Sequence, residues 1–265
     1  MSDDAHLLVE RDGYVLTVTL NRPAAKNAFS PAMLVAAADA WTLLDQDPEL
    51  RVGILTGAGG DFCSGMDLKA LADGFSPEDA ARMAEDPDLH WKALLRHFRP
   101  SKPIVAAVEG YCVAGGTEIL QATELRVAGA SARFGIAEVR RGLFPLGGST
   151  VRLQRQIGFT NAADLLLTGR LVSAAEAKEM GLIGHVVADG EALAKARELA
   201  GLIAENGPLA VREVLRSMRE TAALPEAEGL ARELEIGSPV IFESNDAKEG
   251  PRAFKEKRTP NFTGT

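Results

Sequence analysis

The chain has 265 residues, 46% of them hydrophobic and 25% charged, a composition that supports a sizeable buried core. Its net charge of −8 argues against a nucleic-acid partner, which needs a basic face. Two cysteines are too few for a disulfide framework or a four-cysteine zinc site.

In chain order, the polar start "MSDDAH" is expected to fray. "HLLVERDGYVLTVTL" alternates apolar and polar residues around Asp12-Gly13, which predicts a β-hairpin with a tight turn. Ser30 and Pro31 form a helix-start signal, N-cap then first turn, for a helix running to about Asp45. "RVGILTG" predicts a buried strand, followed by the glycine-rich loop "GAGGDFCSGMD" and a short helix. The polar stretch 73–100 holds three prolines and predicts a helix with mobile edges. "KPIVAAVEG" is a second buried strand, "AGGTEILQAT" opens a helix, and "LRVAG" is a third strand. Strands alternating with helices favour a parallel sheet with crossovers. From about residue 190 the pattern is helical throughout, so residues 1–190 are expected to form an α/β core and 191–265 a helical region suited to an oligomer interface. There is no secretory signal and no apolar run near 18 residues, so the expected location is cytoplasmic, with no membrane partner.

The chemistry-bearing candidates lie in three places. "TGAGGDF" follows a strand but has Phe62 where a dinucleotide fingerprint needs its third glycine, and no P-loop lysine follows. "CSGMD" and "VAGGT" each come shortly after a buried strand and enter a helix. Free N–H groups at two such helix starts, brought together, would make an oxyanion hole. Glu118 stands in the apolar run "GYCVAGGTEIL", where an unpaired charge costs several kcal/mol to bury. Glu138 sits in "FGIAEVRRGLFPLGGS", where ion pairing with Arg140 or Arg141 is the plain alternative to catalysis. No G-x-S-x-G elbow accompanies the four histidines, and Cys63 and Cys112 are expected to be packing residues. Asp67 begins a helix and is expected to cap it.

Five blocks, "NRPAAKNAF", "FCSGMDL", "GYCVAGGTEI", "FGIAEVRRGLFPLGG" and "EGPRAFKEKRTPNF", together resemble the crotonase family, also called enoyl-CoA hydratase/isomerase, in that family's order across residues 21–262. The resemblance implies an α/β fold, a spiral of ββα turns with a helical C-terminal region that builds trimers, often paired into hexamers. It implies an acyl-CoA thioester substrate and no cofactor or metal, coenzyme A being part of the substrate. Glu118 and Glu138 match the two glutamates that hold a water in the family's hydratases. Met66 and Gly115 match its backbone oxyanion donors. The CoA and acyl contacts implied are Ala24, Lys26, Ser64, Asp67, Leu68, Val113, Phe254 and Lys257, the last two reaching a neighbouring subunit's CoA. The expected activity is hydration of a 2-enoyl-CoA. A Δ3,Δ2-enoyl-CoA isomerase, which needs only Glu138, and a non-catalytic acyl-CoA-binding scaffold are the alternatives; retention of both glutamates and both glycine loops favours the hydratase.

Overall fold

A computed structural model describes residues 5–265; the segment 1–4, where fraying was expected, lies outside the described residues. Strands β1 (Leu7–Asp12) and β2 (Val15–Leu20) form the hairpin, turning at Gly13-Tyr14 with Gly13 at a positive φ. Helix α1 (Pro31–Gln46) starts where Ser30 accepts from the Met33 N–H, and runs one residue past the expected end. β3 (Val52–Gly57) leads through the glycine loop to α2 (Leu68–Asp73).

The stretch 73–100 holds two helices rather than one, α3 (Pro77–Glu85) and α4 (Leu89–Ala93). Pro87 is the cause, because a residue before proline is pushed out of the helical region, and Asp86 indeed sits at φ −128, ψ 89. The chain continues through β4 (Ile104–Val108), β5 (Tyr111–Val113), α5 (Gly115–Leu120), β6 (Leu125–Gly129) and β7 (Arg133–Gly135). A 3-10 turn (Glu138–Arg141) precedes α6 (Ser149–Ile157), α7 (Phe159–Thr168), β8 (Val172–Ser173), α8 (Ala174–Glu179) and β9 (His185–Val187). Helices α9 (Ala192–Ala204), α10 (Pro208–Thr221), α11 (Glu226–Phe242) and α12 (Asn245–Glu256) complete it.

The large sheet has the order β1-β2-β3-β4-β6-β9, parallel from β2 onward; a small sheet, β5-β7-β8, lies beside it. Because the central strands of the large sheet are covered on both faces, they are continuously apolar rather than alternating. One face buries Leu55, Ala106 and Ala128 in the main core, which also holds Trp41 and Leu44 of α1. The other buries Val52, Ile54, Val105, Ala107 and Val127 under α9, whose Ala192, Ala196, Ala200 and Ala204 repeat every four residues. Small side chains on that stripe let the helix lie close to the sheet. The first helix beyond residue 190 thus covers the sheet's second face.

The repeat unit is one strand in the large sheet, one short rung beside the small sheet, then a helical turn. β4, β5 and α5 make one such unit; β6, β7 and the turn at Glu138–Arg141 make the next. The unit before them is β3 followed by Cys63, which bridges in parallel to Cys112 of β5 and leads to α2. Three stacked turns of one spiral therefore end, in order, at Met66, at Gly115 to Glu118, and at Glu138.

Candidate active site

The first loop is held from behind by Asn27, fully buried. Its amide donates to the Ala58 and Asp61 carbonyls and its oxygen accepts from the Arg22 N–H. Phe29 N donates to Gly65 O, and Asp67 N donates back to Phe29 O, which pins Met66 between them. Neither the Met66 nor the Gly115 N–H donates to any protein acceptor among the described residues. Their two loops touch: a Cβ on Gly65, whose φ is +96, would meet the Ala114 Cβ at 2.8 Å and Gly115 N at 3.2 Å. Only glycine allows both that backbone angle and that approach. Ala114 itself holds φ 50, ψ −126, a costly conformation for a residue with a Cβ, and it aims the start of α5 at the loop opposite. Two unpaired N–H groups on adjoining loops are what a developing oxyanion requires.

Glu118 lies one turn into α5, 5% exposed. That helix is fastened to the strand that leads to Glu138. Ala114 N donates to Gly135 O at 2.8 Å, and the Thr117 hydroxyl lies 2.6 Å from Cys112 O and 3.0 Å from Gly135 O. Burial pushes the Glu118 carboxyl up, while bonds from Ser149 and Gly147 and the charge of Arg152 pull it down. The Ser149 N–H reaches Glu118 Oε1 at 3.4 Å. Gly147 is required here, since a Cβ on it would stand 2.5 Å from Glu118 Oε2.

Glu138 is half-buried, and its Oε2 is buried with no hydrogen-bond partner. It forms no ion pair with Arg140 or Arg141; Arg140 donates to Thr168 O instead. Burial, with the charge of Glu118 added, pushes the Glu138 carboxyl up to about 7. Two carboxyl groups that feel one another and differ in environment are suited to hold one proton between them at neutral pH.

The remaining residues implied by the resemblance divide into two groups. Ser64 donates to Ala25 O, and Ser64 N to Lys26 O, so the 3-10 turn Pro23–Ala25 with Ala24 lies against the first loop. Val113 N donates to Cys63 O at the seam between the loops. Leu68 is exposed at the start of α2. Lys26 lies 4.0 Å from the centroid of the Tyr111 ring and 3.4 Å from Asp61, with its end in solvent. Asp67 caps α2 through the Lys69 and Ala70 N–H groups and pairs with Arg22 at 2.9 Å, as its helix-start position predicts. Phe254 and Lys257 stand apart, exposed at the end of α12.

Cys63 and Cys112 are fully buried, and burial pushes Cys63 up to about 12 and Cys112 well above its ordinary value. Neither is poised as a thiolate nucleophile. Three contributors were not anticipated: Asn27, Gly147 and Arg152. Asn27 stands inside the first block and Gly147 beside the second glutamate, but Arg152 gives no local signal in "STVRLQRQI". Among the described residues no helix is long and apolar enough to cross a membrane.

A family model described as enoyl-CoA hydratase/isomerase matches residues 10–265. The chain is 59% identical over 255 residues to enoyl-CoA hydratase EchA19 of Mycobacterium tuberculosis, covering 96% of this chain and 95% of that protein. It is 37% identical over 269 residues to carnitinyl-CoA dehydratase of Salmonella typhi, with 100% of each covered. The crystal structure of enoyl-CoA hydratase EchA1 from Mycobacterium marinum matches with a TM-score of 0.90 at 45% identity, covering 99% of this chain and 100% of that one. With the ordered blocks, the spiral and the paired carboxyl groups in agreement, the chain belongs to the enoyl-CoA hydratase/isomerase family, the crotonase family.

Proposed function

We propose that the protein is an enoyl-CoA hydratase that adds water syn across the double bond of a 2-enoyl-CoA to give a 3-hydroxyacyl-CoA. The observation that carries this is the pair of carboxyl groups, Glu118 buried and Glu138 half-buried, on successive spiral turns beside two unpaired backbone N–H groups. Water attack at Cβ drives negative charge onto the thioester oxygen. The N–H groups of Met66 and Gly115 stabilise that enolate more than the ground state, each donor contributing ~3 kcal/mol. Glu118, held by the Ser149 N–H, orients the water and accepts its proton. Glu138, with its raised affinity for a proton, donates one to Cα. The two roles exchange in the reverse dehydration.

The cytoplasmic location and the absence of any cofactor beyond the substrate's own coenzyme A belong to the same reading. So does self-association. Val214, Met218, Leu230, Leu234, Ile241 and Phe242 are all exposed on α10 and α11, and large apolar side chains gathered on two packed helices mark an interaction surface. A trimer, alone or paired into a hexamer, would cover them and bring Phe254 and Lys257 to a neighbour's CoA. Sedimentation at fixed concentration tests this; a stable monomer would refute it.

The test of the activity is loss of the conjugated-enoyl absorbance when the protein meets crotonyl-CoA and longer 2-enoyl-CoA thioesters. Loss that Glu138→Gln abolishes supports hydration. No loss with any of them, alongside conversion of a 3-enoyl-CoA, would move the chemistry to isomerisation.

A further inference from the structure

Arg152, on α6, is half-buried and pairs with no carboxylate among the described residues. Four arginines converge there: Arg96 and Arg99 from the segment after α4, Arg152, and Arg219 from α10. Arg99 and Arg219 both pair with Glu124, at 2.8 and 2.7 Å. Arg96 lies over the Trp91 ring beside His97, which pairs in turn with Asp88, and donates to Leu146 O. Arg152 forms no ion pair among the described residues; the carboxylate whose charge it feels is Glu118.

Its guanidinium bonds to backbone instead. Nη2 donates to Leu95 O at 2.6 Å and Arg96 O at 3.2 Å, and Nη1 reaches Gly147 O at 3.5 Å. Leu95 carries φ +52, a left-handed angle that is costly for leucine and that the surrounding bonds must hold. The far side of the same guanidinium lies against the Gly147-Gly148 turn, where a Cβ on Gly148 would meet Nη1 at 3.3 Å. That turn is the one whose Ser149 N–H meets Glu118.

We propose that Arg152 is a positioning residue for the hydration. It ties the Gly147–Ser149 turn to Leu95 and Arg96, so fixing where the Glu118 carboxyl group sits, and its charge favours the ionised form of Glu118. This rests on the two-glutamate reading above. Glu138, on the other side, is raised by burial and by the charge of Glu118 with no cation set against them, and Arg140 is turned to Thr168 O. The Arg152 charge thus acts together with the Ser149 and Gly147 bonds on one member of the pair.

The test is the pH profile of kcat/KM for crotonyl-CoA hydration by the full chain, for the wild type, Arg152→Met, Arg152→Lys and Glu118→Gln. Arg152→Met is expected to move the acid limb up and to lower kcat by ~10–100-fold with KM little changed. Arg152→Lys keeps the charge but not the planar fork, so its limb stays at the wild-type position while kcat remains reduced. An unmoved limb in a folded Arg152→Met, or a limb displaced in Arg152→Lys, would overturn the proposal; if Arg152→Met does not fold, the lysine variant decides. Glu118→Gln separates the two levels. An inactive Glu118→Gln with an unmoved Arg152→Met limb refutes the role of Arg152 alone. An active Glu118→Gln refutes the role of Glu118, and that of Arg152 with it.

Discussion

Replacing Glu138 with glutamine is expected to make the protein more stable at pH 8 while stopping the reaction. Glu138 Oε2 is buried without a partner, and burial together with the charge of Glu118 carries its carboxyl from 4.5 to about 7. A native state that holds the proton more tightly than the unfolded chain is penalised once that proton must leave. The penalty is absent below the unfolded value near 4.5, grows as pH rises, and is complete above about 7. A displacement of that size corresponds to ~3.4 kcal/mol at most. Because the group is only half-buried, solvent screening reduces this to about 1–2 kcal/mol. Glutamine keeps the shape and never ionises. Urea unfolding of both proteins at fixed concentration, at pH 4.5 and pH 8, should show a gain of about 1–2 kcal/mol for Glu138→Gln at pH 8 and little difference at pH 4.5. A gain of equal size at both pH values, or a loss at pH 8, would refute the account of Glu138 as a strained carboxyl group.

Four further outcomes follow from the same geometry. Glu118→Gln and Glu138→Gln should each lower kcat by orders of magnitude with KM little changed, since neither carboxyl group is mainly a binding group; steady-state kinetics with crotonyl-CoA checks this. In the hydration direction kcat/KM should fall as pH rises through about 7, where Glu138 loses its proton, and a flat profile from pH 6 to 9 would count against it as the acid. Gly147→Ala places a Cβ 2.5 Å from Glu118 Oε2, so kcat should drop by ~100-fold while chemical unfolding shows a cost of only about 1–3 kcal/mol. Gly65→Ala forces the two oxyanion loops apart at Ala114, and should cost both stability and kcat with CoA binding less affected, as seen by calorimetric titration with the free acyl-CoA product.

What could be read from the sequence was what is local. The hairpin, whose turn falls at Gly13-Tyr14, one residue beyond the expected Asp12-Gly13, the cap at Ser30 and the helix entering at Gly115 each depend on a few adjacent side chains, so their signals lie within a short window. β5 and β7 have three residues each, too few to show any period, and they exist because the spiral stacks them. The division between α3 and α4 is also local, since Pro87 alone breaks the helical stretch. Glu118 was visible because a carboxylate in an apolar run is an anomaly, whereas Glu138, beside two arginines, stood out only through the resemblance to the family. Arg152 was not visible, because an arginine on an amphipathic helix is ordinary until the fold turns it inward. The packing of α9 on the second face of the sheet is likewise a tertiary fact, although its four-residue alanine spacing is plain once the partner face is known.

On the proposed mechanism, the spiral divides the two halves of the chemistry between different kinds of group. In the proposed hydration the charge-stabilising half falls to peptide N–H groups at Met66 and Gly115, which every amino acid but proline supplies, and the proton-handling half to side chains at Glu118 and Glu138. Point substitution can therefore erase or exchange the proton chemistry while the capacity to hold a thioester enolate stays in the main chain, open to loss only through the glycines and loop lengths that bring those two peptides together. Such a scaffold inherits its reactive intermediate with the fold and is free to vary what it does with that intermediate, one rung of the spiral at a time.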